Sequence, residues 1–404
     1  MDNSMVTAAE AEKIILAQFK DFGTETVSFN DCAGRVLAEN ILADRDMPPF
    51  NRVTMDGIAI NSEAFKTGTR SFKIIFTQPA GVDPVNIKSN GECVEIMTGA
   101  ALPPTTDTVI PYEMIEIKNG IATVKTETIL FNRYIHKKGK DKKQHEILAE
   151  ANQFITPTII TIAAAVGKTS LRVKKLPAII IISTGDELVD INETPSAFKI
   201  RSSNDYTLRA VLQQYALHPD MLHLPDEPLI IEKKLQECID KYDIIILSGG
   251  VSMGKFDHVP LALENLQVEK LFHKIKQRPG KPFWFGVHAK GTRVFAFPGN
   301  TVSTFMCFYR YFLPWLKTCW QIKLQKSYAI LNEDFSFKHS LQYFLQVKLN
   351  MSTKGELLAV PLEGNGSGDF VNLLQTDAFL ELPLERNDFK KGEIFQAWIF
   401  NQMQ

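Results

Sequence analysis

The sequence is short of several things, and each shortage removes a class of protein. Only five of its 404 residues are cysteine. Cys32, Cys93, Cys238, Cys307 and Cys319 form no C-x-x-C pair and are odd in number. Neither a disulfide framework nor a structural zinc site is expected; reduced, mostly buried thiols fit the pattern. An excess of either charge is missing too, since 45 Lys and Arg stand against 46 Asp and Glu, net −1. Without a global positive field, no attraction to nucleic acid or an anionic membrane is expected, and any anion site must be local. No apolar run is long enough to cross a bilayer. The longest, Thr301 to Trp315, is interrupted by Arg310 and Pro314 and reads as a core helix. Met1 to Glu12 is polar and acidic and lacks the basic and apolar regions of a signal peptide, so the expected compartment is the cytoplasm. The eight histidines show no metal-ligand spacing and read as structural or surface residues. Repeats and low-complexity tracts are absent.

What is there is ordinary globular material, 45% hydrophobic and 23% charged, enough for roughly two to four domains. Thr7-Ala8-Ala9-Glu10 has the form of a capping box, and Ala11, Ile14, Ile15 and Phe19 follow on one face, so a helix opens the chain. From about 44 to 141, short β-branched runs such as Phe72–Phe76, Cys93–Met97 and Ala122–Lys125 alternate with turn residues and predict a small β domain. Farther on, the continuous apolar runs Ala178–Ile182, Ile244–Leu247 and Val294–Phe297 read as strands buried on both faces. Helical stripes lie between them, at Leu208, Val211, Leu212 and Tyr215 and at Ile231, Leu235 and Ile239. This predicts an α/β domain with a largely parallel sheet. After about 323 the pattern turns β again.

All three buried strands end in polar turns: Ser183-Thr184-Gly185-Asp186-Glu187, Ser248-Gly249-Gly250-Val251-Ser252-Met253-Gly254, and Pro298-Gly299-Asn300, which runs into a helix containing Ser303. Glycines let backbone N–H groups approach an anion, a helix N-terminus adds partial positive charge, and such sheets bind ligands beyond the carboxyl ends of their strands. Tight turning alone accounts for one such loop, but three on one edge suggest a phosphate-binding rim. Gly249–Lys255 nearly matches the phosphate-binding G-x-x-x-x-G-K-[ST] loop and fails at Phe256, which has no hydroxyl for Mg²⁺. Carboxylates recur at loop ends: Asp56, Asp141, Asp186, Glu187, Asp226 and Asp257. Taken singly, Asp226 and Asp257 read first as helix N-caps. Cations cluster around Gly139 (Lys137, Lys138, Lys140, Lys142, Lys143) and around Pro279-Gly280 (Lys274, Lys276, Arg278, Lys281).

These motifs resemble those of the MoeA family, the molybdopterin molybdenumtransferases, which include the E domain of gephyrin. The matching stretches are Asn51–Ala59 with its Met55-Asp56-Gly57 core, Ile96–Ala100, Ser183–Leu188, Ser248–Gly254, Arg278–Pro282 and Pro298–Asn300. They stand in the family's order from about residue 30 to 320. The resemblance implies a multidomain α/β plus β fold: an N-terminal helix (1–24), an elongated linking domain (25–43 and 142–172), an inserted β domain (44–141), a MogA-like α/β domain (173–322) and a C-terminal β barrel (323–404). It implies a homodimer whose site lies between the α/β domain of one subunit and the inserted domain of the other. The implied reaction inserts molybdate into adenylylated molybdopterin and releases AMP, with Mg²⁺ as cofactor. A further implied partner is the adenylyltransferase of the same pathway. Asp56, Thr98, Asp141, Glu187, Asp226 and Asp257 would be catalytic, the last three also holding Mg²⁺. Lys274, Arg278, Pro279, Gly280, Lys281 and Ser303 would join the three strand-end turns in binding substrate. Thr301, Arg278, Lys140 and Ile58 stand where the family usually has proline, lysine, an acidic residue and tyrosine. Three competing readings are a P-loop-like nucleotide triphosphatase, a non-catalytic scaffold of the gephyrin type, and a related pterin-binding-like domain with another activity.

Overall fold

The structure, a computed structural model, describes residues 5–251, 257–364, 366 and 368–401. It divides into two compact units, one built from Met1–Ala38, Asn152–Ile155 and Ser170–Gln404, the other from Glu39–Ala151 and Thr156–Thr169.

The first unit opens with the helix Ala8–Ala17. Its capping box forms: Glu10 N–H donates to Thr7 Oγ1 at 3.2 Å, and Thr7 N–H donates to the Glu10 carboxylate at 2.7 Å. Ala8, Ala11 and Ile15 are buried, whereas Phe19 lies past the helix end and is 44% exposed, so it does not extend the buried stripe. The main sheet follows, in the spatial order Asp220–Leu224, Ile179–Thr184, Ile244–Ser248, Arg293–Phe297, Trp284–Val287 and Glu269–His273. The first four strands run parallel, and Trp284–Val287 is antiparallel to both its neighbours, Arg293–Phe297 and Glu269–His273, so it alone runs against the rest. The sheet's two central strands are apolar over Ile179–Ile182 and Ile244–Leu247 because both faces are covered there. Ile179, Ile181, Ile244 and Ile246 face one core, with helix Asn204–Gln213 and the helical segment beginning at Thr301. Ile180, Ile182, Ile245 and Leu247 face the other, with helices Pro228–Lys241 and Val259–Asn265. Each such isoleucine contributes about 1.5–3 kcal/mol on burial.

The expected core helix from Thr301 forms, with a feature the pattern did not reveal. Two α-helical stretches, Thr301–Cys307 and Leu313–Cys319, flank a π-turn at Phe308–Phe312. Pro314 has no N–H for the turn before it, and the widened turn absorbs the loss. Toward the C-terminus, Gln342–Met351, Leu357–Pro361, Ser327–Leu331, Ile394–Ile399 and Ala378–Leu382 pair in that order. Gln342–Met351 also pairs with Ala378–Leu382, so the five strands close into a barrel.

In the second unit a six-stranded sheet runs Thr108–Pro111, Gly57–Ile60, Glu92–Ile96, Ser71–Gln78, Ile121–Val124 and Ile115–Lys118. Gly57 is there for contact: a Cβ would lie 2.0 Å from the carbonyl oxygen of Ile110. All five cysteines are free and buried. Among the described residues no helix is long and apolar enough to cross a membrane.

Candidate functional site

The chain leaves Ile179–Thr184 to one side, for Asp220–Leu224, and returns on the other, for Ile244–Ser248. That reversal makes the carboxyl ends of Ile179–Thr184 and Ile244–Ser248 a topological switch point, where open parallel sheets leave a crevice. A cleft of about 370 Å³ lies there. Ser183 pairs in register with Ser248, and Ser248 with Phe297, so the three polar turns begin on one level of the sheet. Ser183, Thr184 and Gly185 line the cleft from the first turn, Ser248, Gly249 and Gly250 from the second, and Pro298, Gly299 and Asn300 from the third.

Glycine is obligatory in the second turn. Gly249 and Gly250 have φ of +102° and +69°. A Cβ on Gly249 would sit 2.8 Å from the Thr184 carbonyl oxygen, and one on Gly250 would sit 2.7 Å from Thr184 Oγ1. Side chains here would force the first two turns apart. Asn204, at the start of helix Asn204–Gln213, ties the second turn to the third: its Nδ2 donates to Ser248 Oγ at 2.8 Å and to the Gly299 carbonyl at 2.7 Å. Ser202, Ser203 and Asn204 all line the cleft and were not singled out from sequence. Their signal was available, a run of cap-forming residues just before the Leu208, Val211, Leu212 stripe. Thr184 Oγ1 and Asn204 Oδ1 are buried and have no hydrogen-bond partner among the described residues. Buried polar atoms are rarely left so, and a polar ligand in the cleft would satisfy them.

Three carboxylates stand on the same walls: Glu187, Asp226 and Asp257. The helix-cap explanation fails for Asp226, because Glu227, with extended backbone, is the N-cap of Pro228–Lys241. It stays open for Asp257, because His258 before Val259–Asn265 is already in the αR conformation. Asp226 instead bonds the first turn. Its Oδ2 accepts from Asp186 N–H at 3.4 Å, while its own N–H donates to Asp186 Oδ1 at 3.1 Å. Asp186 thus buttresses Asp226 and is not itself on the cleft wall. Among the described residues no three His, Cys, Asp or Glu side chains form a ready metal-holding group. Mg²⁺ needs no such cage, because it is held through one or two carboxylates, phosphate oxygens and water. The carboxylates of this cleft fit that demand.

The second basic cluster lies elsewhere than the cleft wall. Pro282 lines the cleft, but Lys274, Arg278, Pro279, Gly280 and Lys281 do not, and neither does Ser303, buried in the Thr301–Cys307 helix. Gly280 is a packing residue, since a Cβ would lie 2.5 Å from Cys307 Sγ. Gln277–Arg278 pairs with Gln342–Tyr343, which sets the Arg278 guanidinium 5.9 Å from the centre of the Phe337 ring. Ser252 and Gly254, with Lys255 and Phe256 of the P-loop-like stretch, lie outside the described residues. At the start of that stretch His273 Nε2–H donates to the Val251 carbonyl at 2.8 Å. Burial pushes the pKa of His273 below its ordinary 6.5, so this clamp is a neutral ring.

The second unit gathers the remaining three residues around the short strand Arg52–Val53. That strand pairs antiparallel with Ile135–His136, and Arg52 also bridges to Ala101. On one side, Asp56 Oδ1 accepts from Thr98 N–H at 2.6 Å. The bond spans two separate turns, so it is not the local Asx turn that the Met-Asp-Gly motif suggests. The Thr98 bonds hold the pKa of Asp56 below the ordinary 3.8. On the other side, Asp141 Oδ1 lies 2.7 Å from His136 Nε2.

Fold and cleft together define an α/β protein with a cleft lined by glycine turns and carboxylates at a topological switch point. Comparison with known proteins narrows this. Residues 6–167 match the MoeA N-terminal region (domain I and II), 180–318 a probable molybdopterin binding domain, and 328–400 the MoeA C-terminal region (domain IV). A molybdopterin molybdenumtransferase of Synechocystis is 38% identical over 98% of this chain and 100% of its own. One from Staphylococcus epidermidis is 29% identical, over 96% of this chain and 94% of its own. The crystal structure of the molybdopterin biosynthesis MoeA protein of Pyrococcus horikoshii superposes with a TM-score of 0.83 at 27% identity, covering 99% of this chain and 100% of that one. The chain belongs to the MoeA family of molybdopterin molybdenumtransferases, enzymes of molybdenum cofactor biosynthesis.

Proposed function

We propose that this enzyme inserts molybdate into adenylylated molybdopterin, releasing AMP and forming molybdenum cofactor. The observation that carries the reading is the meeting of three glycine- or proline-bearing turns with three carboxylates in one cleft at the switch point. The substrate is a pyrophosphate-linked dithiolene. Backbone N–H groups of Gly250 and Gly299 suit its phosphates, those of Gly185 and Gly249 being engaged by the Leu224 and Phe297 carbonyls, and Ser183, Thr184 and Ser248 offer hydroxyls to its polar edges. Glu187, Asp226 and Asp257 would hold Mg²⁺, which when bound supplies charge neutralisation at the phosphoanhydride. Thr184 and Asn204 orient the ligand through their unpartnered oxygens. Lys274, Arg278 and Lys281 add a positive field beside the cleft, and Ser252 and Gly254 belong to the same loop by sequence. Asp56, Thr98 and Asp141 complete the site from a partner subunit's inserted domain, within a four-domain homodimer divided as the family pattern implies. The adenylyltransferase of the pathway delivers the substrate.

The test is AMP release from adenylylated molybdopterin on addition of molybdate and Mg²⁺, with ATP hydrolysis measured in parallel. Molybdate-dependent AMP with no ATP turnover is expected. ATP turnover without molybdate-dependent AMP would replace this reading with a nucleotide triphosphatase.

A further inference from the structure

His136 is placed so that its neighbours decide where its proton sits. Arg52 Nη2 lies 3.3 Å from His136 Nδ1, and His136 Nε2 lies 2.7 Å from Asp141 Oδ1. A guanidinium can only donate. Nδ1 must therefore accept, the ring proton sits on Nε2, and Nε2–H donates to the Asp141 carboxylate. A doubly protonated ring would turn a second N–H against the guanidinium. The arrangement is built into the backbone, because Arg52 and His136 are register partners across an antiparallel pair.

The backbone also fixes Asp141, but only as far as its Cα. Asp141 N–H donates to the Met47 carbonyl at 2.9 Å, Lys142 N–H to the same carbonyl at 3.2 Å, and Gly139 N–H to the Pro48 carbonyl at 2.9 Å. What these bonds leave loose is rotation of the carboxylate, which is 55% exposed. The imidazole restrains that rotation by engaging one oxygen and leaving the other for a reacting partner. Beside the pair is an open hollow lined by Thr54, Arg133, Tyr134, Ile135, His136 and Lys140.

We propose that His136, locked as its Nε2–H tautomer by Arg52, is a positioning residue that orients the Asp141 carboxylate for the molybdate-insertion step. This rests on the reading of Asp141 as a site residue. It also separates His136 from the chain's other histidines.

AMP release, with kcat and KM resolved, is measured for the parent, His136→Gln, His136→Ala, Asp141→Asn and the His136→Ala/Asp141→Asn double variant, with melting recorded for each. His136→Ala should lose on the order of tenfold in kcat at little change in KM, as expected for a misdirected catalytic group. His136→Gln, which keeps a neutral donor of similar reach, should recover most of that loss. The double variant should turn over no more slowly than Asp141→Asn. A fast His136→Ala beside a slow Asp141→Asn overturns this proposal alone. Asp141→Asn at the parent rate overturns the reading beneath it, and the proposal with it. Nitrogen NMR of the ¹⁵N-histidine-labelled protein reads the tautomer without turnover: a protonated Nε2 and bare Nδ1 are expected, and a bare Nε2 contradicts the lock.

Discussion

Asp56 and Asp257 show how a single carboxylate can be assigned to chemistry or to structure. Asp56 accepts from Thr98 N–H at 2.6 Å. An asparagine oxygen can accept the same bond, so Asp56→Asn should melt near the parent temperature. If the negative charge acts in the reaction, that variant should lose about 100-fold in AMP release. Near-parental turnover would return Asp56 to holding two turns together. Its pKa is lowered from 3.8. The stabilisation from the Thr98 bonds is therefore complete above that value and is lost only as pH falls through the lower folded-state value. An acid limb in activity above pH 3.8 belongs to some other group. Asp257 is a different case, since His258 is already in the αR conformation and capping Val259–Asn265 competes with metal holding as the role of Asp257. We expect Asp257→Asn to fold and bind substrate but to need much more Mg²⁺, because a hard cation is held far better by carboxylate than by amide. A titration of AMP release against Mg²⁺ that matches the parent would remove Asp257 from the metal-holding set.

Among elements, the second strand-end turn is the most constrained. Gly249 has φ +102°, and a Cβ there would lie 2.8 Å from the Thr184 carbonyl oxygen. Gly249→Ala should therefore cost roughly 1–3 kcal/mol of stability through backbone strain alone. Its effect on substrate affinity should be larger, as the first two turns separate. A denaturant midpoint and an affinity both equal to the parent's would show that the turns relax freely. This turn was legible in the sequence because three apolar runs each ended in glycine or proline, a strictly local signal. The Asp226 contact with Asp186 was not legible, since it joins two turns 40 residues apart that only the strand order brings together. The antiparallel pair Glu269–His273 and Trp284–Val287 was also missed. Its alternation is masked by phenylalanines that pack together across the sheet, such as Phe285 and Phe295, whose rings lie tilted with centres 4.8 Å apart. Aromatic packing hides the period of two that marks a strand. His136 was hidden for the same reason as Asp226, because its meaning comes from Arg52 across a strand pair and not from its neighbours in sequence.

At the scale of the whole molecule, one buried residue links parts of the first unit. Arg310, in the π-turn and 3% exposed, pairs with Glu12 of the first helix and Glu381 of the barrel, each at 3.0 Å. The carboxylates and turns assigned to the reaction fall in two separate units, Asp56, Thr98 and Asp141 in one and the cleft in the other. A site completed by a partner subunit requires a dimer at working concentration. Sedimentation at micromolar protein should show that dimer, and a fully active monomer would end the shared-site idea. The central claim, that the cleft beyond Thr184 and Ser248 holds the pyrophosphate of adenylylated molybdopterin, is tested most directly by a crystal structure of the protein with that substrate and without molybdate. Pyrophosphate density is expected against the N–H groups of Gly250 and Gly299, with Thr184 Oγ1 newly bonded. Substrate density anywhere else, with the three turns bare, would contradict it.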